Sequence, residues 1–145
     1  MGLLSKMLGG AMPAKKATDD VLLLHGMLLM CAADGVMETS ELGTLEAFYN
    51  TLPEFEGKDF NDLIQQANKV IARYGGIKES VKSLAEIQSE KVRQKLFILA
   101  VDLAMSSGDV DEAEDQMLET MQRILNVPDA MAQKAMEVMA IKYAQ

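Results

Sequence analysis

Carboxylate side chains gather around a small-residue turn near residue 35. Asp34 ends an apolar stretch, Gly35 follows it, and Glu38 and Glu41 begin the next stretch. A spacing of three residues places Glu38 and Glu41 on one face of a helix, and Asp34 can fold back toward them through the glycine turn. Clustered oxygen ligands of this kind bind hard cations such as Ca²⁺ or Mg²⁺. The pattern therefore predicts a cation site made by Asp34, Glu38 and Glu41.

A second acidic turn lies 73 residues further along the chain, around Gly108. Asp111 and Glu114 occupy the positions of Glu38 and Glu41, and Asp109 adds a further acid. Ser107 stands where the first turn has Asp34. This turn predicts a second cation site with a different distribution of charge.

Both turns also have a purely structural interpretation. Acids in a first helical turn are favoured by the helix dipole, and Asp111-x-x-Glu114 resembles a capping box. Neither turn matches the twelve-residue loop of an EF-hand, which needs glycine at its sixth position and ligands at alternating positions. Metal binding and helix capping therefore both remain open for these acids.

Three other residues deserve consideration as chemical groups. Asp102 lies one and a half turns before Ser107 in an apolar helix. It either points into the second site, faces solvent, or pairs with Arg93, Lys95 or a helix N-terminus. His25 has no His or Cys at metal-ligand spacing, which favours a hydrogen-bonded core histidine or a partly exposed one over a ligand or a catalytic base. Cys31 has no base to activate it and behaves as a small apolar residue. A catalytic role for Asp102 or His25 would need a second group that the sequence does not supply, so we expect no enzyme.

The elements that position these residues form an internal repeat. Residues 23–52 align without gaps to residues 96–125, with Gly35 on Gly108 and Glu41 on Glu114. The apolar spacing is helical throughout, and no stretch alternates like a strand. We therefore predict an all-α fold of seven helices, in which two similar helical hairpins pack together. The predicted helices are about 18–33, 38–52, 59–74, 77–87, 89–106, 111–126 and 128–143.

Composition limits the classes of partner. The 145-residue chain has a net charge of −8, and residues 1–16 contain three lysines and no acid. An acidic body argues against nucleic-acid binding, which requires clustered Lys and Arg.

Residues 17–145 suit one domain. Residues 1–16 form a separate amphipathic segment, and residues 1–12 either pack weakly as a free terminus or lie on the domain or a membrane surface. We expect a cytoplasmic protein, because the start lacks the pattern of a secretory signal and the apolar run 21–33 is too short to span a bilayer.

Methionine is frequent, with 12 residues in the chain. Met131, Met136 and Met139 lie in the predicted last helix. Core filling explains such residues, and an adaptable partner-binding surface is the alternative.

The paired turns resemble the TerB tellurite-resistance domain. The motif residues are Ala32-Ala33-Asp34-Gly35 with Glu41, and Ser106-Ser107-Gly108-Asp109 with Asp111 and Glu114. The similarity extends over nearly the whole chain, and Ser107 departs from the aspartate that is usual in the family. The resemblance implies a seven-helix domain with internal pseudo-twofold symmetry, a non-enzymatic role in a bacterial tellurite, phage or stress system, and metal binding. It also implies membrane-embedded and Ca²⁺-binding protein partners.

Two hypotheses follow from these observations. The first is a TerB-like accessory protein that binds Ca²⁺ or another hard divalent cation. The second is a helical interaction module whose acidic or Met-rich surface binds a protein partner without metal. The predicted metal ligands are Asp34, Glu38, Glu41, Asp102, Asp109, Asp111 and Glu114.

Overall fold

The chain forms a bundle of helices in a computed structural model, which describes residues 17–34, 39–106 and 108–145. The α-helices are α1 (Asp19–Cys31), α2 (Thr39–Tyr49), α3 (Phe60–Tyr74), α4 (Glu90–Ser106), α5 (Glu112–Ile124) and α6 (Asp129–Lys142). A 3₁₀ turn covers Pro53–Phe55, and a 3₁₀ helix covers Glu79–Glu86 where we expected an α-helix over 77–87. These ranges contain no strand, and the prediction of an all-α fold is confirmed. The expected N-terminal segment 1–16 lies outside the described residues.

Helix α1 is the centre of the core. Every residue from Val21 to Met30 is buried, because apolar side chains occupy all sides of this helix. Gly26 allows a close approach to α4. A Cβ atom at this position would lie 2.4 Å from a methyl carbon of Leu96, so a larger residue here would force the Leu96 side chain to move.

Helices α1 and α4 lie side by side and start at the same end of the molecule. The carboxylate of Asp19, the first residue of α1, accepts hydrogen bonds from the backbone N–H groups of Gln88 (2.9 Å) and Ser89 (3.0 Å), just before α4. Met30 of α1, eleven residues after Asp19, and Leu103 of α4, fourteen residues after Ser89, line the same pocket. Both helices therefore lead to the same region, where each is followed by an acidic turn.

The other helices cover this pair. Helix α3 buries Phe60, Leu63, Ala67 and Val70 along one stripe and ends at Gly75, whose φ of +86° is the left-handed conformation that glycine adopts easily. Helix α5 runs back along α4, and α6 packs principally on α4. No helix in the described ranges is long and apolar enough to cross a bilayer.

Candidate metal site

The two acidic turns meet at one pocket. It has a volume of about 270 Å³ and is lined by residues of α1, α2, α4 and α5 and of the turns between them. Asp34 and Glu41 contribute from the first half, and Asp111 and Glu114 contribute from the second. We call this the acidic pocket. The sequence predicted one site in each turn, whereas the structure brings residues of both turns to the same place.

The acidic pocket combines carboxylates with hydroxyls and apolar side chains. Ser40, Thr44 and Ser106 were not expected at the site, although each lies within one helical turn of a pocket residue. Thr44 Oγ1 donates to the carbonyl of Ser40 (3.2 Å), and Ser106 Oγ donates to the carbonyl of Leu103 (2.7 Å). The remaining lining residues are Met30, Cys31, Ala33 and Leu103.

The carboxylates act on one another electrostatically. Burial raises the pKa of Glu114, and the nearby charges of Asp111 and Asp34 raise it further, against the opposing effect of a hydrogen bond with the Asp111 backbone. Burial also raises the pKa of the Cys31 thiol to about 12, with Glu41 and Glu114 adding to the effect. Negative charge from both halves of the molecule is therefore concentrated around Cys31.

The acids of the second turn also cap a helix. Asp111 Oδ1 accepts a hydrogen bond from the backbone N–H of Glu114 (2.8 Å), and Glu114 Oε1 accepts one from the backbone N–H of Asp111 (3.2 Å). This reciprocal capping box satisfies two backbone donors at the start of α5. One oxygen of each carboxylate takes part in it.

Asp102 does not line the acidic pocket. Its carboxylate oxygens lie 3.0 and 2.9 Å from Nζ of Lys142, and one of them accepts a hydrogen bond from the hydroxyl of Tyr143. Asp102 is 7% exposed, so these partners at the end of α6 compensate a buried carboxylate. Asp102 thus pairs with a basic side chain, but this is Lys142 and not Arg93 or Lys95, the partners that the sequence suggested.

The remaining predicted ligands are placed differently. Asp109 is exposed and is not among the residues that line the acidic pocket. Glu38 lies outside the described residues. Within the part of the chain that the structure describes, no three His, Cys, Asp or Glu side chains form a group that could hold a metal ion.

His25 is a hydrogen-bonded core residue, the interpretation that its isolation in the sequence favoured. Its Nε2 lies 3.1 Å from Ser80 Oγ, and Ser80 Oγ donates to the carbonyl of Ile77 (2.6 Å). Since the hydroxyl proton is used in this way, Nε2–H of the histidine donates to Ser80. Burial lowers the pKa of His25 to about 4, so the imidazole is neutral at pH 7.

A family model described as tellurite resistance protein TerB matches residues 21–137, which include both acidic turns and all four carboxylates of the acidic pocket. No significant match was found among curated proteins or among solved structures.

Proposed function

The chain belongs to the TerB family of tellurite-resistance proteins, and from this premise we propose that it is a non-enzymatic accessory protein that binds a hard divalent cation. Ca²⁺ is the first candidate ion. The observation that carries the proposal is the presence of Asp34, Glu41, Asp111 and Glu114 around one pocket. A cation bound there would join the α1–α2 half of the molecule to the α4–α5 half.

The donor set suits a hard cation. Ca²⁺ takes six to eight oxygen ligands from carboxylates, carbonyls and water. The capping box uses Oδ1 of Asp111 and Oε1 of Glu114, so the second oxygen of each carboxylate is the one that would serve the ion. The pKa of Glu114 is raised first by burial and then by the negative charges of Asp111 and Asp34, and this second contribution is consistent with the proposal. A divalent cation would relieve this repulsion.

Tellurite itself does not suit the acidic pocket. Tellurite is an oxyanion, and four carboxylates would repel it. We therefore propose that the protein takes part in a tellurite- or stress-related system through its cation and its partners. The proposed partners are membrane-embedded or Ca²⁺-binding proteins, and the proposed location is the cytoplasm beside the inner membrane.

The capping box favours a second candidate function. Because Asp111 and Glu114 already hold the start of α5, part of the acidic pattern needs no cation to explain it. In this alternative the protein is a helical interaction module that binds its partner through the acidic or Met-rich surface. Partner capture from a lysate that survives both a chelator and the loss of the pocket carboxylates would support this alternative.

Calorimetric titration with Ca²⁺ tests the cation proposal. We expect binding in the range of roughly micromolar to millimolar for the wild type. The Glu41→Gln/Glu114→Gln variant should lose this binding, because one carboxylate is removed from each half of the site. The matched control is Glu46→Gln/Glu119→Gln, which makes the same change of charge at exposed positions of α2 and α5 outside the acidic pocket.

The outcomes are distinct. Binding by the wild type and the control, with none by Glu41→Gln/Glu114→Gln, supports the acidic pocket as the site. Absence of heat for every variant, or equal heat for the two double variants, contradicts it. Far-ultraviolet circular dichroism establishes that each variant is folded, so that lost binding is not caused by unfolding.

A further inference from the structure

Helices α3 and α6 are attached to the bundle by different forces. Helix α3 follows the α1–α2 half and packs on α1, and helix α6 follows the α4–α5 half and packs on α4. Helix α3 buries the apolar side chains of Phe60, Leu63 and Val70. The two residues that α6 buries are Ala132 and Ala135, and its methionines that pack on the core remain partly exposed. Because stabilisation grows with the apolar area removed from water, apolar packing holds α6 less firmly than α3.

A polar contact fastens the end of α6 to α4. The ammonium of Lys142 lies 3.0 and 2.9 Å from the two carboxylate oxygens of Asp102, and the hydroxyl of Tyr143 donates to the same carboxylate. We call these three residues the Asp102 latch. Asp102 is buried, and a buried carboxylate that loses its charged partner is strongly destabilising. The closed position of α6 therefore depends on the latch.

The beginning of α6 is tied to α5 instead. The side-chain amide of Gln122 in α5 donates to the carboxylate of Asp129 (2.7 Å) and to the carbonyl of Val127 (3.2 Å). Val127 itself is buried. One end of α6 is thus fixed to the preceding helix, whereas the other end is held to α4 by the latch.

We propose that α6 is a strap that opens and closes on α4 while the rest of the bundle stays folded. The turn around Val127 is the hinge, and the Asp102 latch is the fastening. Opening uncovers Asp102 and the side of α4 that Ala132 and Ala135 cover. Helices of this length are marginally stable in water when isolated, so α6 loses helical hydrogen bonds when it detaches. The backbone amides of α6 therefore report the opening.

Native-state hydrogen exchange of the full chain tests the proposal, because each amide reports the opening that exposes it. The central amides of α6, residues 134–138, avoid the fraying of the helix end. Relative to intrinsic rates, we expect them to exchange at least about tenfold faster than the central amides of α3 in the wild type.

A substitution in α3 shows whether α6 opens by itself. Val70→Ala removes buried apolar surface from α3 and should accelerate exchange of the α3 amides about tenfold. The α6 amides should be unaffected, because α3 remains folded when the strap opens. If Val70→Ala accelerates the α6 amides as much as those of α3, α6 is released only by unfolding of the whole bundle, and the proposal is overturned.

Substitutions in α6 test the fastening. Lys142→Met removes the charge beside Asp102 and should accelerate exchange of the α6 amides about tenfold. The matched control is Lys134→Met, the same change at another exposed position of α6, which should have little effect. Equal effects of the two substitutions would overturn the proposal, since the latch would then not hold the strap.

A double variant separates the buried charge from the lost side chain. In Asp102→Asn/Lys142→Met no charge is buried, and the amide oxygen at position 102 can still accept the hydroxyl of Tyr143. Exchange of the α6 amides should return most of the way to the wild-type rate. A rate that stays as high as in Lys142→Met would contradict a fastening that acts through the carboxylate.

Discussion

The α1–α2 half and the α4–α5 half of the molecule both consist of a buried helix, an acidic turn and a second helix, but they hold their buried polar groups differently. In α1, His25 is fully buried and donates to the hydroxyl of Ser80. In α4, Asp102 is buried beside the ammonium of Lys142 and the hydroxyl of Tyr143. The first half keeps its buried group neutral, whereas the second half pairs its buried group with a charge.

The acidic turns of the two halves also differ in what their carboxylates do. Glu41 is the third residue of α2, and its Oε2 is buried from solvent. Asp111 and Glu114 form the capping box that starts α5. A substitution of Asp111 or Glu114 therefore changes both the charge of the acidic pocket and the capping of α5.

The largest expected effect comes from His25. Its pKa falls from 6.5 to about 4 on folding, so as the pH decreases the unfolded chain takes up the proton first. The free energy of unfolding should decline from pH 6.5 downward and level off below pH 4. Between pH 7 and pH 5 we expect a loss of about 2 kcal/mol from this group. Urea unfolding at a series of pH values measures it.

The control for this prediction is His25→Gln, which can donate to Ser80 but does not titrate. The difference in unfolding free energy between the wild type and this variant should change with pH, since the carboxylates titrate equally in both. A difference that stays constant from pH 7 to pH 5 would show that the histidine is not held neutral. His25 is the only histidine, so its imidazole resonances report the pKa directly.

A smaller effect separates the two turns. Without cation, Asp111→Ala should lower the free energy of unfolding by about 1 kcal/mol, because the start of α5 loses its cap. Asp111→Asn keeps a capping side chain and should cost much less. Glu41→Gln should leave stability unchanged or raise it, since a negative charge is removed from a repulsive group. Thermal unfolding in the presence of a chelator measures all three. Equal losses for Asp111→Ala and Asp111→Asn would mean that capping does not distinguish the second turn.

The helices were predictable from the sequence because each depends on local patterns. Helix α1 is apolar on all sides, and α3 has a regular stripe closed by Gly75, so both were placed to within a few residues. The 3₁₀ helix at Glu79–Glu86 was predicted as an α-helix. The spacing of apolar residues does not distinguish the i→i+3 hydrogen bonds of a 3₁₀ helix from the i→i+4 hydrogen bonds of an α-helix.

The site was predictable only in part, because its assembly depends on contacts between distant residues. The sequence identified the acids of each turn, but their meeting at one pocket follows from the close packing of α1 on α4 at Gly26 and Leu96. Asp102 was ambiguous for the same reason. Its partners Lys142 and Tyr143 lie 40 and 41 residues away, at the end of the last helix.

The smallest predicted effect reports directly on the combined charge of the two turns. Cys31 lies in the acidic pocket, and its thiol pKa is about 12 because of burial and of the charges of Glu41 and Glu114. The thiolate is the reactive form, so alkylation by iodoacetamide at pH 8 should be slow in the wild type. Glu41→Gln/Glu114→Gln should increase the rate by a factor of a few, and Glu46→Gln/Glu119→Gln should not. Because Cys31 is the only cysteine, mass spectrometry of the intact chain follows the reaction without ambiguity.

If each single substitution, Glu41→Gln or Glu114→Gln, gives part of the increase, both halves of the molecule contribute charge to the pocket. If only one of them does, the convergence of the two turns on Cys31 is contradicted.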